Sequence, residues 1–299
     1  MTSTTSDSTA PEKPASTRDF ALIGVVGLGT MGAGIAQVVA HHGYGVVACE
    51  VSNELVQAGL ARIGAGFGRH VERGRMTAAE REAALAHVAG TTDLDAFGGC
   101  DLVVEAIVED MDAKRELFAR LEEICRPDAI LATNTSALSV TEIAAATSSA
   151  GRVVGMHFFN PAPVLPLVEV VVGDSTSASV AERVREFAEA IGKRPVVCPD
   201  RPGFVVNRIL IPLLNDCVRL YEQGGISADD LDGAMTAGLN WPIGPLRLID
   251  LIGTDVHVHA SEALWQAYRE PRFAPPPSLV RMVESGRLGR KAGAGFYTY

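Results

Sequence analysis

The stretch GLGTMG at residues 27–32 constrains the fold more than any other, because of what stands on either side of it. ALIGVVG (21–27) is an apolar, β-branched run ending in glycine, and MGAGIAQVVAHHG (31–43) carries apolar residues at helical spacing up to Gly43. Strand, glycine turn and helix in immediate succession form the opening unit of a nucleotide-binding α/β sheet. Gly27 permits the tight turn, Gly29 lets the backbone approach a pyrophosphate, and Gly32 lets helix and strand pack closely. The helix N-terminus offers free N–H groups and a partial positive charge to phosphates.

The pattern continues down the chain. YGVVACE (44–50), DLVVEAIVE (101–109), AILATN (129–134), VVGMHF (153–158) and LVEVVVG (167–173) read as buried strands. Helices are expected at 54–73, 77–88, 111–125, 139–147 and 177–192, with Thr77 and Glu80 forming a capping box. Beyond PVVCPDRPGF (195–204) the character changes, and 205–223, 227–238, 245–269 and 275–286 read as helices without a strand among them. The expected class is therefore α/β: a Rossmann-type, doubly wound, mostly parallel sheet with a helical pair inserted after strand 2, followed by an all-α C-terminal domain. We divide the chain into a disordered tail rich in Ser, Thr and Pro (1–19), a nucleotide-binding domain (20–201) and a helical domain (202–299).

Composition narrows the function classes. A net charge of −10 argues against a general nucleic-acid binder, since no broad basic surface is left for phosphates. No apolar run approaches a membrane span, and the N-terminus has no apolar signal core. Five dispersed cysteines (Cys49, Cys100, Cys125, Cys198, Cys217) without a CxxC pair read as reduced thiols, so a cytoplasmic protein is expected. His257 and His259 stand two residues apart on a helix, facing different sides with no third ligand, so no metal site is expected.

Two features carry chemistry. Glu50 ends the second strand eighteen residues after Gly32, where a carboxylate accepts hydrogen bonds from the adenosine ribose and repels a 2′-phosphate. Val51, Ser52 and Asn53 supply no arginine for such a phosphate, so the expected cofactor is NAD. In GMHFFNPAPVLPLVE (155–169), His157 and Glu169 lie on neighbouring strand ends joined by a turn. A carboxylate there fixes the imidazole tautomer and stabilises its charged form, which suits a general base acting on an alcohol.

GLGTMG, VVEAIVEDMDAKRELF (103–118), ATNTSALSVTEIA (132–144), GMHFFNPAPVLPLVE, RPGFVVNRILIP (201–212) and GRLGRKAGAGFY (286–297) together resemble the short-chain 3-hydroxyacyl-CoA dehydrogenases. They are most similar to the bacterial 3-hydroxybutyryl-CoA dehydrogenase branch, in the family's order, from about residue 20 to the C-terminus. The resemblance implies oxidation of the 3-hydroxyl of a short-chain (S)-3-hydroxyacyl-CoA. In it His157 matches the base and Glu169 its partner, while Ser136 and Asn207 match contacts to the reacting oxygen. Glu109, Lys114, Asn134 and Asn160 match residues on the ribose and nicotinamide side of the cofactor. Read as residues alone, Ser136 and Asn160 are equally ordinary turn residues, Asn207 a helix cap and Lys114 a surface-helix residue.

The resemblance also implies a homodimer formed through the helical domain, which closes over the acyl end. GLNWPIGPLRLID (238–250) suits such an interface and equally an ordinary core. The departures fall at the substrate end. Where the family presents Ser and Lys to the CoA phosphates, Gly66 and Arg73 stand, and Ala137 and Pro166 replace a customary Ser and Lys. Arg73 keeps a positive charge able to grip phosphate bidentately. A related branch acts on hydroxyacyl groups carried by an acyl carrier protein, with Arg69, Arg73 and Arg75 as a candidate basic patch.

Overall fold

The computed structural model describes residues 20–299; the expected tail at 1–19 lies outside the described residues. Apolar, mostly β-branched segments form one eight-stranded sheet: β1 Leu22–Val26, β2 Gly45–Cys49, β3 Val88–Thr91, β4 Leu102–Glu105, β5 Ile130–Thr133, β6 Val153–Phe158, β7 Leu167–Val172 and β8 Arg194–Pro199. The order is β3-β2-β1-β4-β5-β6-β7-β8, parallel throughout except for the antiparallel β6–β7 pair. Strand order reverses between β1 and β4, and sheets of this kind take their ligands at that point, beyond the carboxyl ends of the strands.

Helices cover both faces of the sheet: α1 Thr30–His41, α2 Asn53–Glu72, α3 Ala78–Ala86, α4 Met111–Ile124, α5 Val140–Ala144 and α6 Ala178–Ala190. Their starts obey local chemistry. Ser52 caps α2, Asp110 caps α4, and Thr77 with Glu80 forms the expected reciprocal box on α3. Two apolar cores result, one on each side of the sheet, the larger under α1, α2 and α6.

A third core, built from Leu214, Val218, Leu231, Leu246, Ile249, Val258, Leu279 and Met282, belongs to the helical part. Its helices are α7 Val206–Glu222, α8 Ala228–Leu239, α9 Pro245–Ile252, α10 Thr254–Tyr268 and α11 Pro277–Glu284. Asp232 of α8 accepts the Leu246 and Arg247 amides at the start of α9, which fills two of its orphan donors. Among the described residues, no helix is long and apolar enough to cross a membrane. All five cysteines are free.

Three expectations need correction. The segment expected to be one helix at 245–269 is two, broken at Gly253, whose φ of 105° a side-chain-bearing residue rarely adopts. β3 and β8 escaped the sequence reading. Each is an edge strand, and VAGT and RPVVCP are too short or too exposed to show the buried-strand signature.

Candidate active site

The glycine turn is held by contact. Gly27 takes a φ of 86°, and a Cβ there would sit 2.6 Å from the Ala106 carbonyl oxygen, on the loop leaving β4. At Gly32 a Cβ would lie 1.7 Å from the Gly27 oxygen, so α1 packs onto the turn only as glycine. At Gly29 the same atom would meet nothing within 4 Å, so this backbone faces open space. Glu50 accepts the Leu28 amide at 2.6 Å and the Val51 amide at 3.2 Å, and Arg62 donates to the Leu28 carbonyl at 3.1 Å. Val51 and Val108 are exposed apolar side chains just beyond β2 and β4. Open glycine backbone at a helix N-terminus, flanked by a carboxylate and apolar surfaces, fits a dinucleotide.

The second cluster rises from the antiparallel pair. His157 on β6 stands directly opposite Glu169 on β7, and its Nδ1 lies 2.8 Å from Glu169 Oε2. Both are buried. The other carboxylate oxygen accepts the Val205 and Val206 amides at 3.0 and 2.9 Å, from the first turn of α7. Burial pushes the Glu169 carboxyl up, but the hydrogen bonds from His157 and these amides, with the imidazole charge, hold it below the usual range. A carboxylate on Nδ1 makes that nitrogen the N–H and leaves Nε2 with the lone pair. Phe159 and Phe204 pack beside the imidazole, with ring centroids 4.6 and 5.6 Å away. Phe204 holds its place with a φ of 47°, in the left-handed region.

The third cluster joins β4, α4 and the loop after β5. Lys114, which the sequence suggested was a surface residue, is 1% exposed. It reaches Glu105 Oε1 at 2.5 Å and Glu109 Oε2 at 3.3 Å. Glu105 also accepts the Thr133 hydroxyl and the Ile107 amide, both at 2.7 Å. Glu109 Oε1 gathers the 135–137 loop, accepting the Thr135 hydroxyl at 2.6 Å and the Ser136 and Ala137 amides at 2.8 and 3.1 Å. Ser136 Oγ donates to it at 3.3 Å. Burial raises the Glu109 carboxyl, and the Lys114 charge and these donors outweigh it, so it lies below the ordinary range.

Ser136, Glu109 and Asn207 line one cavity of about 560 Å³, between the carboxyl end of the sheet and α10. Asn207 is no cap: Val205 occupies that position, and Asn207 sits in the first turn of α7. Asn134 uses its Oδ1 on the Phe158 amide at 2.8 Å, tying β5 to the end of β6. Asn160 and Arg73 stand apart, lining a second cavity of about 420 Å³ with Arg62, Arg69 and His70. Gly66 lines it too, buried against α1, and a Cβ there would lie 2.1 Å from Gln37 Oε1. On α10, His257 is buried and His259 exposed, on different sides of the helix. Among the described residues no group of three His, Cys, Asp or Glu is placed to hold a metal.

The sequence reading missed Glu105 and Asp200. Glu105 carried a signal, the one charge inside the apolar run LVVEAIV. Asp200 carried none, since its partners, the Ser139 hydroxyl and the Thr141 amide (both 2.8 Å), are some sixty residues away.

An open glycine turn fitted to a dinucleotide on a doubly wound sheet, with a buried histidine–carboxylate pair in the same sheet, places the chain in the class of nucleotide-dependent oxidoreductases. The profile of the 3-hydroxyacyl-CoA dehydrogenase NAD binding domain matches residues 22–201, and that of the C-terminal domain matches 203–299. The chain belongs to the 3-hydroxyacyl-CoA dehydrogenase family, and its cofactor is NAD. It is 47% identical over 279 residues to a 3-hydroxybutyryl-CoA dehydrogenase of Mycobacterium tuberculosis, covering 93% of this chain and 98% of that one. The human mitochondrial hydroxyacyl-coenzyme A dehydrogenase is 40% identical, over 92% of this chain and 90% of its own. The crystal structure of an (S)-3-hydroxybutyryl-CoA dehydrogenase from Ralstonia eutropha superposes with a TM-score of 0.91 at 40% identity, covering 94% and 99% of the two chains.

Proposed function

We propose that this dehydrogenase oxidises the 3-hydroxyl of a short-chain (S)-3-hydroxyacyl-CoA to the ketone, reversibly, with His157 as general acid–base. The observation that carries the reading is the His157–Glu169 pair: opposite positions on antiparallel strands, 2.8 Å apart, the carboxylate locked by two α7 amides. Bound NAD supplies the hydride acceptor. His157 Nε2 takes the hydroxyl proton, and Glu169 keeps Nδ1 protonated and offsets the imidazolium charge. Ser136 and Asn207, sharing one cavity, hydrogen-bond the reacting oxygen, Ser136 by turning its hydroxyl from Glu109. In reduction the same nitrogen returns the proton.

Gly27, Gly29 and Gly32 cradle the pyrophosphate in this reading, and Glu50 takes the adenosine ribose. Glu109, Lys114, Asn134 and Asn160 act at the nicotinamide end, Lys114 and Asn134 by holding their neighbours in place. Arg73, in a cavity rich in cations, meets the phosphates of the acyl carrier. We divide the chain near residue 202 into a cofactor-binding domain and a helical domain. Ile209, Leu220, Leu239 and Leu251 leave apolar surface exposed on the helical domain, which supports a homodimer.

The test is NADH oxidation with acetoacetyl-CoA, beside the same acyl group on an acyl carrier protein. Turnover of the CoA ester that collapses in His157→Ala is expected. Activity confined to the carrier-protein substrate would overturn the CoA assignment and leave the proton chemistry intact.

A further inference from the structure

The Glu105–Lys114–Glu109 set holds two carboxylates against one ammonium, a surplus of one negative charge. Glu105 is 0% and Lys114 1% exposed, so water screens that pair poorly, while Glu109, its side chain 31% exposed, carries the set's charge to the cavity. Three of the four carboxylate oxygens accept hydrogen bonds: Glu105 Oε1 from Lys114 and Ile107, Glu105 Oε2 from Thr133, and Glu109 Oε1 from the 135–137 loop. Among the described residues the fourth, Glu109 Oε2, meets only Lys114, at 3.3 Å, and Glu109 lines the cavity beside Ser136. On the far wall Glu142 meets Arg115 at 3.3 Å, and Asp200, whose carboxylate accepts the Ser139 hydroxyl and the Thr141 amide, is followed in sequence by the cationic Arg201. The negative surplus is therefore directed into the crevice over the ends of β4 and β5. It calls for a cationic group in the ligand.

In a doubly wound sheet a dinucleotide spans the switch point, so with adenosine at Glu50 on the β2 side, the nicotinamide lies over β4 and β5. Its ring carries a positive charge when oxidised and none when reduced. We propose that Glu105, acting through Lys114 and Glu109, sets the preference of this enzyme for oxidised over reduced nicotinamide. Glu105 touches neither cofactor nor substrate in this account and is a positioning, charge-setting residue. The inference rests on the proposed seating of the nicotinamide and adds a role for a residue that seating leaves idle.

Glu105→Gln is nearly isosteric, can still accept from Lys114, and removes one unit of charge. Removing one unit of charge from a poorly screened site beside a cationic ring moves an ionic equilibrium by on the order of tenfold. NADH binding is read by its fluorescence and NAD by competition with NADH, at fixed ionic strength. The expected result is that Kd(NAD)/Kd(NADH) rises on the order of tenfold in Glu105→Gln. Thr133→Val, which deletes a hydrogen bond to Glu105 and no charge, should leave the ratio within about twofold. Should Glu105→Gln not fold, Glu109→Gln removes the same charge from the cavity side and should shift the ratio the same way. An unchanged ratio in the folded charge variant, with only a lower Tm, would overturn the inference and leave the proposed function standing. Wild-type protein that binds neither form would instead overturn both.

Discussion

Two histidines are buried in this molecule, one in each half, and they differ in a single partner. On β6, His157 Nδ1 meets the carboxylate of Glu169 at 2.8 Å. On α10, His257 Nε2 meets the amide oxygen of Asn215, also at 2.8 Å. The amide orientation is determined by its surroundings, because Asn215 Nδ2 donates to the Arg272 and Phe273 carbonyls at 3.4 and 3.3 Å. His257 Nε2 must then be the donor, and its Nδ1 has no partner. Burial pushes this imidazole down to about 4, and among the described residues no carboxylate is paired with it. Equal distances thus give opposite chemistry. A carboxylate can stabilise the imidazolium that proton transfer creates, whereas an amide holds a neutral ring in place.

The comparison breaks most visibly at Glu169. Glu169→Gln keeps a hydrogen-bonding group and removes the charge, making His157 resemble His257. Turnover of acetoacetyl-CoA should fall about 10²–10⁴-fold, with the Kd for NADH within about threefold of wild type. Steady-state kinetics beside fluorescence titration checks this, and an undiminished kcat would sink the reading. The converse change, Asn215→Asp, faces a carboxylate toward two carbonyls and should cost about 3 kcal/mol at neutral pH, read by urea unfolding.

Acid sharpens the contrast further. The unfolded chain protonates His257 near 6.5 while the folded chain resists until about 4, so the unfolded state binds more protons between them. Its stabilising contribution is therefore full above about 6.5 and is lost as pH falls toward 4. Glu169, held below its ordinary 4.5, contributes fully above that pH and loses its share only below it. Unfolding free energies of wild type and His257→Gln should therefore diverge between these limits, by on the order of 3 kcal/mol. Parallel curves would show that His257 titrates normally. The smallest effect is expected at His259→Ala, on the exposed side of the same helix, within about 0.5 kcal/mol of wild type.

Legibility followed the range of the interactions. Strand–turn–helix at 21–43, the Thr77–Glu80 box and the packing of Gly32 on Gly27 depend on near neighbours, and each was readable. β8 was not, because its strand character comes from pairing with β7 and not from its own half-exposed residues. The proposed base and its partner were legible as types, twelve residues apart. Their register, and the α7 amides that lock Glu169, were not. Lys114 read as surface because its helix is amphipathic; its two glutamates lie only nine and five residues upstream, and it is the turn from β4 into α4 that folds them onto it.

The sequence by itself determined the six inner strands of the sheet, the glycine cradle, the carboxylate after β2 and the family. All of these are encoded in local periodicity, backbone sterics and motif spacing. Tertiary structure alone decided which buried polar groups carry charge and toward what. That depends on the distance and solvation of partners far apart in sequence, such as Glu169 with the start of α7 and His257 with Asn215. Electrostatic energy falls with distance and rises with desolvation, and neither quantity exists until the chain has folded.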